Sequence, residues 1–234
     1  MTLFLIPTIL APDTQETVLP PQIKAVVSEL NVFFVEDLRT ARRFISSLKL
    51  HTERRPKIID DITFYELNKD TPHDQTLAQL KKLKTDAGII SEAGCPGVAD
   101  PGAVAVGFAH QLGYKVVPLV GPSSILMALM ASGFNGQSFT FNGYLPIDKQ
   151  LRIKSLKDLE QIAKKKQQTQ IFMETPFRNN QLLEDVLQNL NPETLLCVAC
   201  NVTAEDEFIK TLRVKDWRKS KPDLHKKPTI FLLL

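Results

Sequence analysis

Strand-like apolar runs alternate with amphipathic helical runs along the first half of the chain, and this alternation constrains the fold more than any other feature. The strand-like runs are rich in branched and aromatic residues, whereas the helical runs repeat their apolar residues at helical spacing. Because parallel strands need crossover connections, the pattern predicts a mostly parallel sheet with helices on both faces. The predicted strands are 2–9, 32–36, 57–66, 87–91 and 114–120, and the predicted helices are 21–30, 38–48, 72–84 and 102–112.

The second half of the chain has more strands and fewer crossover helices than the first. We therefore predict two domains, an α/β domain at 1–119 and an α+β domain with a mixed sheet at 120–234. The elements predicted in this half are helices at 122–132 and 149–166, and strands at 138–144, 169–174, 195–202, 207–213 and 228–234.

The composition indicates a globular chain for which no membrane helix is expected. Of its 234 residues, 43% are hydrophobic, and the longest apolar runs fall short of the roughly 20 residues that span a bilayer. The N-terminus lacks the basic flank and cleavage site of a signal peptide, so we expect a cytoplasmic protein. The net charge of +3 does not by itself indicate a nucleic-acid partner.

The cysteines and histidines do not form a metal-binding pattern. Cys197 and Cys200 make a C-x-x-C, but it lies in LLCVACNV, which is typical of a buried strand. On one strand these two thiols point to opposite faces. The four histidines are scattered singly, without the spacing of metal ligands. We therefore expect no metal ion and interpret the cysteines as core residues.

The segment SEAGCPGVADPGA at 91–103 carries three glycines, two prolines and two carboxylates. It connects a predicted strand to a predicted helix and so lies where open α/β sheets bind their ligands, at the carboxyl end of a parallel strand. Gly94 and Gly97 can adopt backbone angles closed to other residues, while Pro96 and Pro101 restrict the shape of the loop. The segment favours ligand recognition by backbone groups; a rigid crossover loop held by turn hydrogen bonds is the alternative.

This loop does not have the pattern of a nucleotide-binding fingerprint. It follows the fourth predicted strand rather than the first, and a proline lies among its glycines. The next strand, YKVVPLV, ends without the acidic residue that binds a ribose, and the chain contains no G-x-x-x-x-G-K-[ST] motif. These features argue against a Rossmann dinucleotide site, and the missing motif excludes a P-loop.

Six collinear segments match motifs of a known family. SEAGCPGVADPG resembles S-D-A-G-T-P-x-x-x-D-P-G, FLIPTIL resembles Y-x-V-P-T-P-I-G, and VEDLR at 35–39 resembles A-E-D-T-R. VGPSSILMALMASG at 120–133, FTFNGYLP at 139–146 and IFMETPFRN at 171–179 are similar to three further motifs. Together they resemble the tetrapyrrole methylase superfamily, and within it the branch of ribosomal RNA 2'-O-methyltransferases.

The resemblance implies a two-domain enzyme, usually a homodimer, that binds S-adenosylmethionine in the cleft between its domains. Carbonyl groups, glycine-lined loops and small hydroxyls can hold this cofactor without a phosphate cradle. By position in the motifs, the cofactor-binding residues would be Leu10, Gly94, Cys95, Val98, Ser123 and Ser124, with the main chain near Glu174 and Val202. Capping of the helix after Pro122 is the alternative role for the two serines.

Two carboxylates and two arginines are candidates for the chemistry. Methyl transfer from a sulfonium is an in-line displacement, so alignment of the reacting atoms can supply much of the catalysis. If a ribose hydroxyl is the nucleophile, Glu36 and Asp37 are candidate general bases, with helix capping or ion pairing as the alternative. Arg39 and Arg178 are candidate substrate-binding residues for RNA phosphates, with surface salt bridges as the alternative.

The chain departs from the branch's pattern in three places. Its first-strand loop reads PTILAPD and has lost a glycine, Leu38 replaces a threonine, and Phe177 replaces a histidine. We predict a methyltransferase that modifies a ribose 2'-hydroxyl of ribosomal RNA in the small ribosomal subunit. A methyltransferase of a small molecule such as a tetrapyrrole, and a cofactor-binding protein without activity, are the alternatives.

Overall fold

The computed structural model describes residues 1–50 and 59–234, which form two compact units, Met1–Ser123 and Ser124–Leu234. Each unit contains its own five-stranded sheet. The predicted strand 57–66 is shorter in the structure: residues 57 and 58 lie outside the described residues, and Ile59–Asp61 form a 3₁₀ turn. The strand itself begins at Thr63.

The first unit is an all-parallel sheet with crossover helices. Its strands are β1 (Thr2–Ile6), β2 (Val32–Val35), β3 (Thr63–Glu66), β4 (Ala87–Ile90) and β5 (Lys115–Pro118). Its helices are α1 (Gln15–Val18), α2 (Pro21–Glu29), α3 (Leu38–Ser47), α4 (His73–Lys81) and α5 (Gly102–Gln111). The strand order is β3-β2-β4-β1-β5, and every pair is parallel, so all five carboxyl ends lie at one edge.

Apolar side chains alternate along the strands and build one core on each face of this sheet. Phe33 and Val35 of β2 pack in the core that contains Ile45 of α3. Phe34, between them in sequence, belongs to the opposite core, together with Leu80 of α4. The sheet is thus covered by helices on both faces, as the sequence predicted.

The second unit is a mixed sheet. Its strands are β6 (Phe139–Tyr144), β7 (Thr169–Met173), β8 (Leu195–Cys200), β9 (Phe208–Arg213) and β10 (Thr229–Leu233). Its helices are α6 (Ser124–Ser132), α7 (Lys149–Lys166), α8 (Asn179–Asn189) and α9 (Val214–Trp217). In the order β6-β7-β10-β8-β9, only β6 and β7 pair in parallel among the described strands of this sheet. Since β7 and β8 both run antiparallel to β10, strands β6, β7 and β8 end at the same edge, where β10 begins.

Large side chains from the sheet and from α7, α8 and α9 fill the main core of the second unit. The rings of Phe172 and Phe231 stack at 5.7 Å between centroids, and Trp217 is fully buried. The indole nitrogen of Trp217 donates to the Leu196 carbonyl oxygen at 2.9 Å, which satisfies its one polar group.

Helices α1, α8 and α9 are elements that the sequence prediction did not include.

A buried ion pair joins α7 to α8. The guanidinium of Arg152 contacts the Asp185 carboxylate through Nη2 at 2.6 Å and Nε at 2.8 Å. Nη1 of Arg152 donates to the Ile147 carbonyl oxygen at 2.6 Å, and Gln181 donates to the second carboxylate oxygen at 3.1 Å. Because the hydrogen-bonding groups around both charges are satisfied, the pair can remain ionised in the core.

Breaking this pair on one side should destabilise the second unit strongly. We expect Arg152→Met to lower the free energy of unfolding by about 3–5 kcal/mol, because it leaves the Asp185 charge buried without its partner. The double variant Arg152→Met, Asp185→Leu should recover much of that loss. The exposed pair of Lys219 and Asp216 is the matched control, for which Lys219→Met should cost about 0–1 kcal/mol. Urea denaturation measures all four proteins, and equal losses in the buried and exposed variants would contradict the assignment.

Candidate functional site

The loop after β4 is fastened to the loops after β1 and β5 within the first unit. The backbone nitrogen of Thr8 donates to the Gly94 carbonyl oxygen at 3.0 Å, and the Thr8 hydroxyl donates to the Ser91 carbonyl oxygen at 3.1 Å. On the other side, the Cys95 thiol donates to the Pro122 carbonyl oxygen at 3.5 Å. The loop therefore has a fixed shape at the carboxyl edge of the parallel sheet.

Two glycines of this loop have left-handed backbone angles, with φ of +73° at Gly94 and +79° at Gly97. A Cβ atom at Gly94 would lie 3.2 Å from Cδ2 of Leu10 and 3.3 Å from the Pro122 carbonyl oxygen. A Cβ at Gly97 would meet its nearest atom, the Ala103 nitrogen, at 3.8 Å. Gly94 is thus the point where three loops approach closely, while Gly97 is needed for its backbone angle.

Asp100 holds the end of the loop. Its Oδ1 atom accepts hydrogen bonds from the backbone nitrogens of Gly97 at 2.6 Å and Gly102 at 2.8 Å. Gly102 is the first residue of α5, so the carboxylate acts as a cap for the start of that helix. The two carboxylates of the segment therefore differ in role, because Glu92 contacts Thr40 of α3.

A cavity of about 460 Å³ opens beside the loop, among the loops after β1 and β4 and helix α3. Its walls are largely apolar, with Ile9, Leu10 and Phe44 among the lining side chains. The lining residues in the described part of the chain include one cation, Arg43, and two carboxylates, Asp13 and Glu92. The volume and apolar lining are those of a small-molecule or nucleoside-sized site.

The two candidate bases lie in different environments. Asp37 is exposed and caps α3: its Oδ1 accepts from the Thr40 backbone nitrogen at 2.8 Å, and hydrogen bonds from Thr40 lower the pKa of Asp37. Partial burial raises the pKa of Glu36, and the nearby charges of Glu92 and Asp100 raise it further. A base needs a pKa near the operating pH, so Glu36 suits that role better than Asp37 does.

Thr40 connects the helix start to the loop after β4. Its hydroxyl lies within hydrogen-bond distance of both Asp37 Oδ1, at 3.1 Å, and Glu92 Oε1, at 2.5 Å. Sequence reasoning did not single out Thr8, Thr40 or Glu92 as site residues. The signal for Thr40 was its position three residues after Asp37, which is the spacing of a helix cap.

The predicted residues of the second unit lie at one edge of its sheet. Glu174 follows β7 and Val202 follows β8, and these two strands end at the same edge. The buried Glu174 carboxylate accepts from the Thr175 nitrogen at 2.6 Å and forms an ion pair with Arg178 Nη2 at 2.7 Å. The side chain of Glu174 is therefore engaged in contacts within the second unit.

The other predicted residues are distributed over both units. Leu10, Gly94 and Cys95 lie together at the crossing of the three loops, and half-exposed Val98 follows them. Ser123 ends the first unit, and Ser124 begins α6. Exposed Arg39 lies on α3, where its charge also lowers the pKa of Asp37. Arg178 is half-exposed in the second unit, in the ion pair with Glu174.

Two observations bear on metal and membrane binding. Among residues 1–50 and 59–234, no three His, Cys, Asp or Glu side chains are grouped closely enough to hold a metal ion. Both Cys197 and Cys200 are buried on β8, and burial raises the pKa of each thiol. In that same part of the chain, none of the helices combines the length and apolar character required to cross a membrane.

The fold is shared with solved methyltransferase structures. The crystal structure of the methyltransferase CobJ matches with a TM-score of 0.60 and 17% sequence identity, over 99% of this chain and 92% of that one. Uroporphyrin-III C-methyl transferase from Thermus thermophilus, complexed with S-adenosyl homocysteine, matches with a TM-score of 0.56 and 16% identity, over 100% and 97%. The chain therefore has the two-domain fold of the tetrapyrrole methylases, and the predicted fold class is confirmed.

In sequence the chain is similar to proteins named ribosomal RNA small subunit methyltransferase I, which confirms the resemblance seen in the motifs. It is 31% identical over 176 residues to the protein of Buchnera aphidicola subsp. Schizaphis graminum, over 74% of this chain and 60% of the relative. It is 30% identical over 184 residues to that of Bacillus subtilis, over 79% and 59%. The match thus spans about 60% of the relatives' own length. No protein-family model matches the chain.

The crowding at Gly94 can be separated from its backbone strain by comparison with Gly97. Alanine at either position should cost about 1–2 kcal/mol, because both have left-handed angles. Gly94→Ala should cost about 1–3 kcal/mol more than Gly97→Ala, since its methyl group would press on Leu10 and the Pro122 carbonyl. Urea denaturation of the two variants measures the difference. Equal losses would show that the loops are not tightly packed at Gly94.

The opposite pKa shifts of Glu36 and Asp37 predict opposite effects on stability. Between pH 4.5 and the raised pKa of Glu36, the folded chain still binds a proton that the unfolded chain has lost. The free energy of unfolding therefore falls as pH rises through this range. Glu36→Gln should therefore increase stability at pH 7 and remove this decline. Asp37 has a lowered pKa, so its stabilisation is present above pH 3.8 and is lost as pH falls through the folded value.

Asp37→Asn is the matched variant and should lower stability at neutral pH, because the cap loses its charge. Urea denaturation at a series of pH values measures both effects. A Glu36→Gln protein whose stability has the parent's pH dependence would contradict the raised pKa of Glu36 in the folded chain.

Proposed function

We propose that this chain is an S-adenosylmethionine-dependent methyltransferase that modifies a ribose 2'-hydroxyl of ribosomal RNA. The observation that carries the proposal is the glycine loop after β4, locked between the loops after β1 and β5 on a tetrapyrrole-methylase fold. The sequence similarity to proteins named ribosomal RNA small subunit methyltransferase I supports the acceptor. Cytoplasmic location and a homodimer belong to the same proposal.

The residues at the crossing of the three loops fit a ligand held by backbone groups. Leu10, Gly94, Cys95, Val98 and Ser123 would bind the cofactor from the first unit, and Ser124, Glu174 and Val202 from the second. When bound, S-adenosylmethionine supplies a methyl group on a sulfonium, whose transfer leaves S-adenosylhomocysteine. The absence of a side chain at Gly94 keeps the main chain of the loop open to close approach.

The acceptor would enter the cavity beside α3, which Thr40 and Glu92 line. Glu36 lines a smaller pocket with Asp100, and Ile90 lines both pockets. Glu36 would accept the proton that the ribose hydroxyl loses as its oxygen–methyl bond forms. The pKa of Glu36 is raised by burial and by Glu92 and Asp100, which makes this carboxylate a better proton acceptor near neutral pH. Asp37 remains a candidate of second rank because its side chain already caps α3. Arg39 and Arg178 would contact phosphates of the RNA.

A tetrapyrrole acceptor is the second candidate, and the structural similarity to uroporphyrin-III C-methyl transferase is its support. A macrocycle bearing several carboxylates needs several cations around it. Arg43 is the one cation among the described residues that line the cavity, and Glu92 and Asp13 also line it. This charge balance favours an acceptor that is not a multiple carboxylate.

Methyl transfer from labelled S-adenosylmethionine tests the proposal directly. We expect label to enter small ribosomal subunits prepared from cells that lack this modification, and the labelled site to resist alkaline cleavage, because a methylated 2'-oxygen cannot attack its phosphate. Glu36→Gln should lower turnover by about 10²–10⁴-fold with little change in RNA affinity, and the loss should ease as pH rises.

The tetrapyrrole alternative is tested in parallel by supplying uroporphyrinogen in place of the subunits. Label in the macrocycle and none in RNA would replace the proposed acceptor. Calorimetry with S-adenosylhomocysteine gives an independent measurement, and a protein that binds neither form of the cofactor would contradict the methyltransferase assignment altogether.

A further inference from the structure

An exposed aromatic ring with a cation above it lies in the second unit, outside the cavity and the three-loop crossing. Phe177 is 68% exposed, in the segment between β7 and α8. The ring of His225 meets it edge-on at 6.1 Å between centroids, with 78° between the planes. Nζ of Lys226 lies 5.8 Å from the Phe177 ring centroid. We call Phe177, His225 and Lys226 the Phe177 platform.

The platform is held in place by hydrogen bonds between its two segments. The backbone nitrogen of Lys226 donates to the Pro176 carbonyl oxygen at 3.0 Å. Fully buried Asn179 donates to the Lys227 carbonyl oxygen at 2.6 Å, and Asn180 accepts from the Leu224 nitrogen at 2.8 Å. Lys226 itself adopts a left-handed backbone angle, with φ of +60°. A rigid frame of this kind presents the ring to solvent with little ordering cost on binding.

The platform lies at the edge of the sheet that also carries Glu174 and Val202. Phe177 follows β7, and His225 and Lys226 precede β10; these strands are antiparallel, so both segments meet at that edge. Arg178 is the next residue after the ring. Its Nη2 binds Glu174, and its buried Nε atom makes no hydrogen bond to any described residue.

The charges around the ring indicate the class of ligand. The segments 174–178 and 223–228 carry three cations, Arg178, Lys226 and Lys227, and two carboxylates, Glu174 and Asp223. Glu174 is already paired with Arg178, and Asp223 accepts hydrogen bonds from Asn180 and the His225 nitrogen. The charge of Lys227 also lowers the pKa of Asp223, so Lys226, above the ring, is the lysine that is positioned for an anion. An exposed flat ring flanked by cations suits a strand whose units combine an aromatic face with a phosphate.

We propose that the Phe177 platform stacks one unpaired base of single-stranded RNA while Lys226 contacts a neighbouring phosphate. The proposal rests on the proposed function for its choice of RNA. Stacking on an aromatic side chain is tolerant of sequence because every base has a π face. The platform would therefore hold the strand near the edge that carries Glu174 and Val202 without selecting a sequence.

Binding of a short single-stranded oligoribonucleotide that contains 2-aminopurine tests the platform. Fluorescence anisotropy reports affinity, and quenching of 2-aminopurine reports stacking. We expect Phe177→Ala to weaken binding by about tenfold and to abolish the quenching, whereas Phe177→Tyr should retain both. Lys226→Gln should keep the quenching and reduce the slope of log affinity against log salt by about one.

Phe139→Ala is the matched control. Phe139 is also an exposed aromatic of the second unit, at 40%, but it begins β6 and so lies at the opposite edge of the sheet. Its replacement should leave affinity and quenching unchanged. Circular dichroism and S-adenosylhomocysteine binding verify that each variant is folded.

The results separate the platform from the proposed function. A folded Phe177→Ala protein with the parent's affinity and quenching would overturn the platform, and so would a parent protein that binds no single-stranded RNA. A parent that stacks RNA through Phe177 but transfers no methyl group would support the platform and contradict the proposed function.

Discussion

The close approach of three loops at Gly94 is the constraint on which the first unit's site depends. The Thr8 nitrogen donates to the Gly94 carbonyl oxygen, and a Cβ at Gly94 would lie 3.3 Å from the Pro122 carbonyl oxygen. Gly121 makes the same approach possible from the other side, because a Cβ there would overlap Pro7. These loops leave the sheet at neighbouring strands β4, β1 and β5. Because these strands are parallel neighbours, the three loops begin side by side. The glycines at 94 and 121 allow their backbones to approach closely.

Carboxylates around this crossing have separate structural and chemical roles. The carboxylates of Asp37 and Asp100 accept hydrogen bonds from backbone nitrogens at or next to helix starts, where a negative charge is stabilised. Glu92 accepts a hydrogen bond from Thr40. Glu36 is left as the carboxylate whose pKa is raised by burial and by its acidic neighbours. The Asp100 carboxylate is occupied by backbone nitrogens, yet its negative charge remains near Glu36. Together with burial and the charge of Glu92, it raises the pKa of Glu36.

The periodicity of apolar residues was sufficient to predict most strands and the helices on both faces of the first unit's sheet. A sheet that is buried on both faces has continuously apolar strands, and the helices that cover it are amphipathic. It missed α8, although the buried Leu182, Leu183 and Val186 follow helical spacing. Strand β3 was predicted too long because Ile59 and Ile62 are apolar without being in a strand.

Side-chain roles were harder to predict than elements, because they depend on contacts between distant residues. Helix capping was the alternative role given to Asp37, and the structure has that cap. By contrast, the bond from Thr40 to Glu92 joins residues separated by 52 positions, and the ion pair of Arg152 with Asp185 joins two helices. No local pattern encodes these distances. The relation of Phe177 to His225 and Lys226 likewise exists only after β7 and β10 have paired.

The glycine missing from the first-strand loop is not needed for the backbone angle at that position. Aligning PTILA with the P-T-P-I-G of the family motif places Ala11 at the glycine position, and Ala11 has no left-handed backbone angle; the left-handed residue of this loop is Asp13, with φ of +60°. Ala11 is buried and lines the cavity beside α3. Its methyl group therefore narrows the cavity and does not strain the loop. The substitution changes the shape of this cavity and leaves the crossing of the three loops at Gly94 intact.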